Sequence, residues 1–506
     1  MVETLKALVV VLGLGSTVWF CAKPLFKPYI DPKDYVLRRN SWLLLTPIAF
    51  LSPSFWLYVF IVLFVVARAI KRDTNPIAHY VALLYVAPPV MVPIPMIGIG
   101  SLFDLNNIRL LGLALLLPLL FLSNRRFGAN SQPKAIRFLD ALVISFCALR
   151  IILWDYESVT NLLRVSLILF VDIALPYFAF SRLISDRKQF KDTIATFCLM
   201  CLVLVPIALF EFARGWSLYQ VITDQWTGFP GIYLVRAGVL RALASTFHPL
   251  ALGYLFAIAL VFSFYLFPPK TTGRVAKLVP TFIAVGLIAP YSRGPWIAAA
   301  IGAIFFRLLS PKPIAGLLKA SLATGLALCL LLLTPYADRI IQSLPFVGTI
   351  EASTVEYRVQ LIHTALEFFL QNPWFGDQYV VDRMARLDHM ISGGIVDLVN
   401  GYVLTALHYG LVTLLILVSI LAHGYRLGAK GFHASKRRSD TDGRQLGAAL
   451  IAAWLSSAVY LGTAGFEHLM WVLLGMLATY SRDDFFSNND ALQKAIKNGK
   501  RYAKRQ

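Results

Sequence analysis

Long apolar runs, each closed by a short polar or basic stretch, recur along almost the whole chain. A run of about 20 apolar residues crosses a bilayer as a helix. On that criterion, spans are predicted near 4–22, 42–70 (with a break at Ser52-Pro53), 76–98, 107–123, 136–153, 162–181 and 190–213. Further spans follow near 246–268, 274–290, 294–310, 313–334, 401–423, 446–462 and 465–480. The segment 76–98 holds Pro88, Pro89, Pro93 and Pro95 and must kink or break. The stretch 335–400 carries no span and is too long for a mere connection. Within it, 355–370 has a helical period, with Val359, Ile362, Leu366 and Leu370 on one face. The Asn-Pro and Gly of QNPWFGD end that helix.

The expected fold is therefore all-α. It is a polytopic integral membrane protein with about 12–14 transmembrane helices and a long periplasmic loop containing a helix. One transmembrane domain covers 1–480, with 335–400 inserted between late helices, and 481–506 forms a basic cytoplasmic tail. Composition agrees, since 58% of residues are hydrophobic and only 15% charged, against about a quarter in soluble domains. The first run has no small-residue cleavage site behind it and reads as a retained anchor.

Charge sets the orientation. The net charge of +20 sits in short loops at 68–73, 124–137, 182–191, 270–277, 307–319 and 425–438, and in the tail. Such a pattern indicates topology and contact with anionic membrane lipids rather than nucleic acid. The intervening loops at 102–107, 154–161 and 335–400 are acidic or polar. The alternation predicts a bacterial inner membrane protein with both termini cytoplasmic and its functional face periplasmic. One loop disagrees. The stretch 21–40 is basic yet falls outside, so it lies in the interface or the early count is off by one helix.

The five cysteines and eight histidines show no metal-ligand spacing, and no disulfide is expected. No phosphate-binding Gly-rich loop with lysine and no nucleophile elbow occurs. What stands out is a set of arginines on the predicted outer face, where the positive-inside bias disfavours them: Arg236, Arg241, Arg293 and Arg358. A guanidinium matches phosphate bidentately and can stabilise charge that develops on a phosphate leaving group. No metal and no cofactor is needed for that. For a single arginine, snorkelling to headgroups is the competing explanation; three loops converging on one face favour a shared role.

Four stretches resemble the O-antigen ligase / O-antigen polymerase (Wzy-type) superfamily of bacterial membrane glycosyltransferases. They are RALASTFHPLALG at 241–253, YSRGPWIAAA at 291–300, EYRVQLIHTALEFFLQNPWFGD at 356–377 and VDLVNGYVLTALHYGLVT at 396–413. The resemblance implies transfer of a glycan from undecaprenyl diphosphate to an acceptor hydroxyl. It implies that Arg241 and Arg293 bind the donor's diphosphate and that Arg358 supports them, with Arg236, Ser292, Asn400 and Tyr402 as further substrate-binding positions. Ligases of this superfamily carry a histidine before the asparagine of the last motif; here Val399 stands there, before Asn400, and Thr413 replaces the closing glycine. Valine cannot move a proton. That departure favours a polymerase of exopolysaccharide or O-antigen repeats over a ligase acting on lipid A core. Asp397 is the candidate base or acceptor-positioning group, with a helix cap as its alternative role. The implied partners are lipid-linked oligosaccharide donor and acceptor, together with flippase and chain-length regulator proteins. A lipid-linked sugar flippase or transporter is the reading from another class. It would place its ionisable residues near the bilayer midplane.

Overall fold

The computed structural model describes residues 2–96, 100–122, 132–229, 231, 233–236, 238–246, 248–268, 273–311, 318, 352–387, 398–482 and 485, with 352–359 as helix backbone only. The expected span at 313–334 and the tail beyond Phe485 lie outside these residues, as does Cys329. The chain is an all-α polytopic membrane protein. Five described helices are long and apolar enough to cross a bilayer by length and composition.

The helices in chain order are α1 Val2–Phe26, α2 Pro32–Leu51, α3 Phe55–Arg72, α4 Pro76–Leu83 and α5 Asn107–Leu122. Next come α6 Lys134–Ile152, α7 Val159–Arg182, α8 Arg187–Arg214, α9 Gln220–Thr227, α10 Pro249–Leu266, α11 Leu278–Gly286 and α12 Arg293–Leu309. The last are α13 Ala352–Gln371, α14 Val380–Ala385, α15 Gly401–Arg437, α16 Thr441–Leu461 and α17 His468–Tyr480. Two antiparallel hairpins interrupt them: β1 Val92–Met96 with β2 Gly100–Leu105, and β3 Val235–Arg236 with β4 Val239–Leu240. The centre is built on α8 and α10, which are apolar all round and buried along most of their length, as a core helix should be.

The expected span at 76–98 does not form. Its prolines end α4 at Leu83, and the chain continues as a buried irregular segment into β1. Irregular backbone at membrane depth is tolerated where protein surrounds it, and residues 84–88 are all buried.

The basic stretch 21–40 is explained by an extra turn. Asp31 caps α2, accepting from the Lys33 N–H at 2.9 Å, and Pro32 starts it. Ser54 caps α3, so the expected 42–70 span is two helices that turn at Ser52-Pro53. Arg38 then lies at the end of the bundle that carries the other basic loops. It donates to Asp73, just past α3, at 2.8 Å and to Asp192, in the first turns of α8, at 2.6 Å. The opposite end of α2 is marked by Ser52, whose carbonyl accepts from Gln225 and Trp226 of α9. The basic 27–31 turn thus joins the other basic loops, and α1 begins at the opposite end. The expectation that the N-terminus shares the basic-loop face is corrected by this cluster.

The inserted stretch contains the expected helix, observed as α13. Its docked stripe is Leu361 and Ala365 with Phe368, whereas Ile362, Leu366 and Leu370 of the expected apolar face are exposed. The turn after α13 locks onto a kink in α15. At Gly410, φ is 73° and ψ −177°, which breaks the helical ladder. Asp377 N donates to Leu407 O at 2.8 Å, Leu411 N to Pro373 O at 2.8 Å and Val412 N to Trp374 O at 3.4 Å. Groups freed by the kink are satisfied by the turn. A side chain at Gly376 or Gly410 would collide with the facing main chain, and both have φ above 70°.

Candidate functional site

The end of the bundle opposite the basic loops is where the singled-out residues collect. Arg241 follows β4. Its backbone N–H donates to Leu234 O at 2.9 Å, its Nε donates to Pro290 O at 3.3 Å, and Ala242 N donates to Ala289 O at 3.0 Å. The strand-like strap around Arg241 is therefore fastened to the residues just before Ser292 and Arg293. Tyr291, at φ 45°, turns the chain sharply into the cap position of α12. Ser292 is buried there, and Arg293 is the first helical residue. Next to it, the backbone of Gly294 faces Thr463 so closely that a Cβ would overlap it.

The strap is held from below by Glu211 at the end of α8. Its carboxylate accepts from Leu218 N at 2.8 Å, Leu243 N at 3.0 Å and Ala244 N at 2.7 Å. Ser245 Oγ adds a bond to Tyr85 O at 2.6 Å, and His248 caps α10 by accepting from Leu250 N at 3.1 Å.

Asn400 and Tyr402 meet the same loop from the other side. Gly401 N donates to Ala464 O at 3.0 Å, one residue after Thr463. The Asn400 side-chain oxygen caps α15 through Tyr402 N and Val403 N, at 3.0 and 3.2 Å. The Tyr402 hydroxyl donates to Ala458 O at 2.7 Å. The Asn400 side chain thus closes the start of α15, and Tyr402 fastens α15 to α16. Arg236 lies in the β3–β4 hairpin and is half-buried. Arg358 falls in the first turns of α13, where only backbone is described, and Asp397 lies outside the described residues.

Beside these motifs lies a cavity of about 420 Å³ between α5, α7, α10 and α17. Arg109 and Asp172 form a bidentate pair at one wall, at 3.0 and 2.8 Å. Arg109 comes just before the π-helical turn Gly112–Leu116 and Asp172 lies within another, Phe170–Ala174, a local distortion common at functional sites. Arg150 at the end of α6 lies over the rings of Tyr409 and Phe466, at 5.1 and 5.7 Å, so its charge is held by aromatic faces. Thr246 and His248 bring the Arg241 strap to the rim. Glu467, just before α17, and His468, its first residue, complete the lining. Burial pushes the Glu467 carboxyl up to about 7, offset in part by the Tyr460 hydroxyl. Hydropathy alone places this pair within the expected span 465–480 and so hides it. The available signal was an ionisable Glu-His pair inside an apolar stretch, which is itself a functional flag in a membrane protein.

The arrangement offers cationic side chains at the motif end, a cleft roomy enough for a sugar-sized group, and the Glu467 carboxyl at the wall of that cleft. Residues 278–418 match the family model described as O-antigen ligase. That range runs from α11 into α15 and includes Ser292, Arg293, Asn400 and Tyr402. No curated protein matches the chain.

Proposed function

We propose that the protein is a membrane glycan transferase, which the match of residues 278–418 to the O-antigen ligase family model supports, and, more finely, that it is a polymerase. It joins undecaprenyl-diphosphate-linked oligosaccharide units at the periplasmic face, in exopolysaccharide or O-antigen synthesis. The observation that carries this reading is the fastening of Arg241 to Pro290, three residues before Arg293. Two arginines from separate stretches are thereby presented at one end of the bundle, opposite the basic loops. By the positive-inside bias that end is periplasmic.

In this reading the acceptor hydroxyl attacks the anomeric carbon of the donor sugar, and the diphosphate departs from the other face. Arg241 and Arg293 hold the diphosphate and stabilise the charge it gains as it leaves. Arg236 and Arg358 supply further positive charge. The chemistry needs neither a metal nor a nucleotide sugar. Flippase and chain-length regulator proteins would act before and beside it.

The test uses purified protein in lipid with synthetic undecaprenyl-diphosphate repeat units, products resolved by size. A ladder from wild type that Arg293→Ala abolishes, with the variant shown to insert and fold, supports the reading. A ladder unchanged by Arg293→Ala removes the arginine from the reaction. Transfer of a single unit to lipid A core, without a ladder, moves the assignment to a ligase. Flux without bond formation moves it to a transporter.

A further inference from the structure

We propose that Glu467 is the general base of the transfer, taking the proton of the acceptor hydroxyl. The proposal rests on the glycan-transfer reading above and names the group that Val399 cannot be.

The geometry has three parts. First, Glu467 stands at the head of α17 but does not cap it, so its carboxylate is not spent on the helix end. Its one hydrogen-bond partner among the described residues is the Tyr460 hydroxyl, at 3.2 Å. A carboxylate accepts through two oxygens, so one bond leaves capacity for a further donor. Second, the side chain opens onto the 420 Å³ cavity while half-buried. Its surroundings suit a sugar. Tyr460 stacks on Tyr254, centroids 4.3 Å apart and planes 13° apart, and Tyr254 and Phe466 line the same space. Third, the loop that carries Glu467 is the one on which the motifs converge. Thr463 faces Gly294 beside Arg293, and Ala464 binds Gly401 beside Asn400. Four residues of chain reach at most about 14 Å, so Glu467 lies no farther than that from Thr463, which faces the residue after Arg293.

The step balances. The acceptor O–H proton passes to a Glu467 carboxylate oxygen as the acceptor oxygen forms its bond to the anomeric carbon. The bond from that carbon to the diphosphate oxygen breaks, and undecaprenyl diphosphate leaves with the electron pair. The carboxylic acid then returns its proton to water.

Burial and the Tyr460 hydroxyl from α16 set the titration of Glu467; the other ionisable or polar groups around the same cavity are Tyr254 from α10 with His248 at its cap, His468 beside Glu467, Arg150 from α6, and the Arg109–Asp172 pair between α5 and α7. A carboxyl that titrates near 7 is ionised enough to act and basic enough to accept, which is the working range of a general base. The wild-type turnover should rise with pH through about 7 and level off.

The test is the ladder assay on the full-length protein in lipid, with Glu467→Gln and Glu467→Asp. General-base catalysis is worth roughly 10²–10⁴-fold. Glu467→Gln should therefore lower kcat at least a hundredfold, with KM for the lipid-linked donor changed less than threefold and the rising limb of the pH profile gone. Glu467→Asp should recover part of kcat and keep the limb. Glu467→Gln with wild-type kcat overturns the proposal. So does a loss of kcat that follows a loss of folded protein while the pH limb persists, since that is a structural role. Failure here with Arg293→Ala still inactive leaves the polymerase reading standing; no ladder from wild type overturns both.

Discussion

The lock between the Gly376 turn and the Gly410 kink gives a prediction whose size can be worked out. Replacing Gly410 by alanine puts a Cβ against the main chain of Trp374 and Phe375. The backbone there is at φ 73°, ψ −177°, a region open essentially to glycine alone, and holding another residue in it costs about 1–3 kcal/mol. Relieving the overlap separates the two main chains and gives up the bonds from Asp377, Leu411 and Val412, each worth about 0.5–1.5 kcal/mol net. Alanine recovers about 0.4–1 kcal/mol by narrowing the unfolded ensemble. The dock should weaken by about 1.5–7 kcal/mol, centred near 4, and 3 kcal/mol is already roughly a hundredfold in the open population. Hydrogen exchange in lipid reads this directly. The Asp377 and Leu411 amides should exchange at least a hundredfold faster in Gly410→Ala, and ladder synthesis should fall with them. Gly273→Ala, at an open position, should change neither. Wild-type exchange at Asp377 and Leu411 in the Gly410→Ala protein would refute the reasoning.

Three further outcomes are expected. Arg38→Met leaves Asp73 and Asp192 buried without their cation and should destabilise the protein by about 3–5 kcal/mol; thermal melts of this variant against one that also carries Asp73→Asn and Asp192→Asn should show partial recovery. Glu211→Ala strips the acceptor from three backbone N–H groups, each costing about 1–3 kcal/mol if left buried and unpaired; the melting temperature and turnover should both drop, and Glu211→Gln should be milder. Single cysteines at Lys27 and Lys71 should react with an impermeant maleimide from one side of the membrane, and one at Ser54 from the other. Labelling of Lys27→Cys and Ser54→Cys from the same side would contradict the turn at 27–31.

Hydrophobic period carried most of the fold, because a bilayer forces every buried backbone group into local pairing and leaves few architectures. The spans from 107 to 213 came out within a few residues of the observed helices. Failures occurred where caps and prolines outweigh hydropathy. Ser52-Pro53 divides one long apolar run into two helices, and the four prolines after Ala87 turn an expected helix into an irregular segment and a hairpin. The arginine clustering was legible because charge on the disfavoured face is informative residue by residue. The cavity was not, since Arg109, Arg150, Asp172 and Glu467 come from four distant segments and only packing brings them together. The structural bonds of Asn400 and Tyr402 were likewise hidden, because a helix cap and a tie to α16 appear only once the chain is folded.

The Gly376–Gly410 dock is a joint made of main-chain atoms. Its bonds run from N–H to C=O, and its contact surfaces are bare backbone. Such a joint is indifferent to the identity of the side chains it carries. Trp374, Phe375 and Tyr379 stand exposed around it, and they can be exchanged for others while the joint holds. The inserted segment is thus a mount with replaceable fittings. A chain built this way can present a different surface by changing the fittings, and the helix beneath has no need to move.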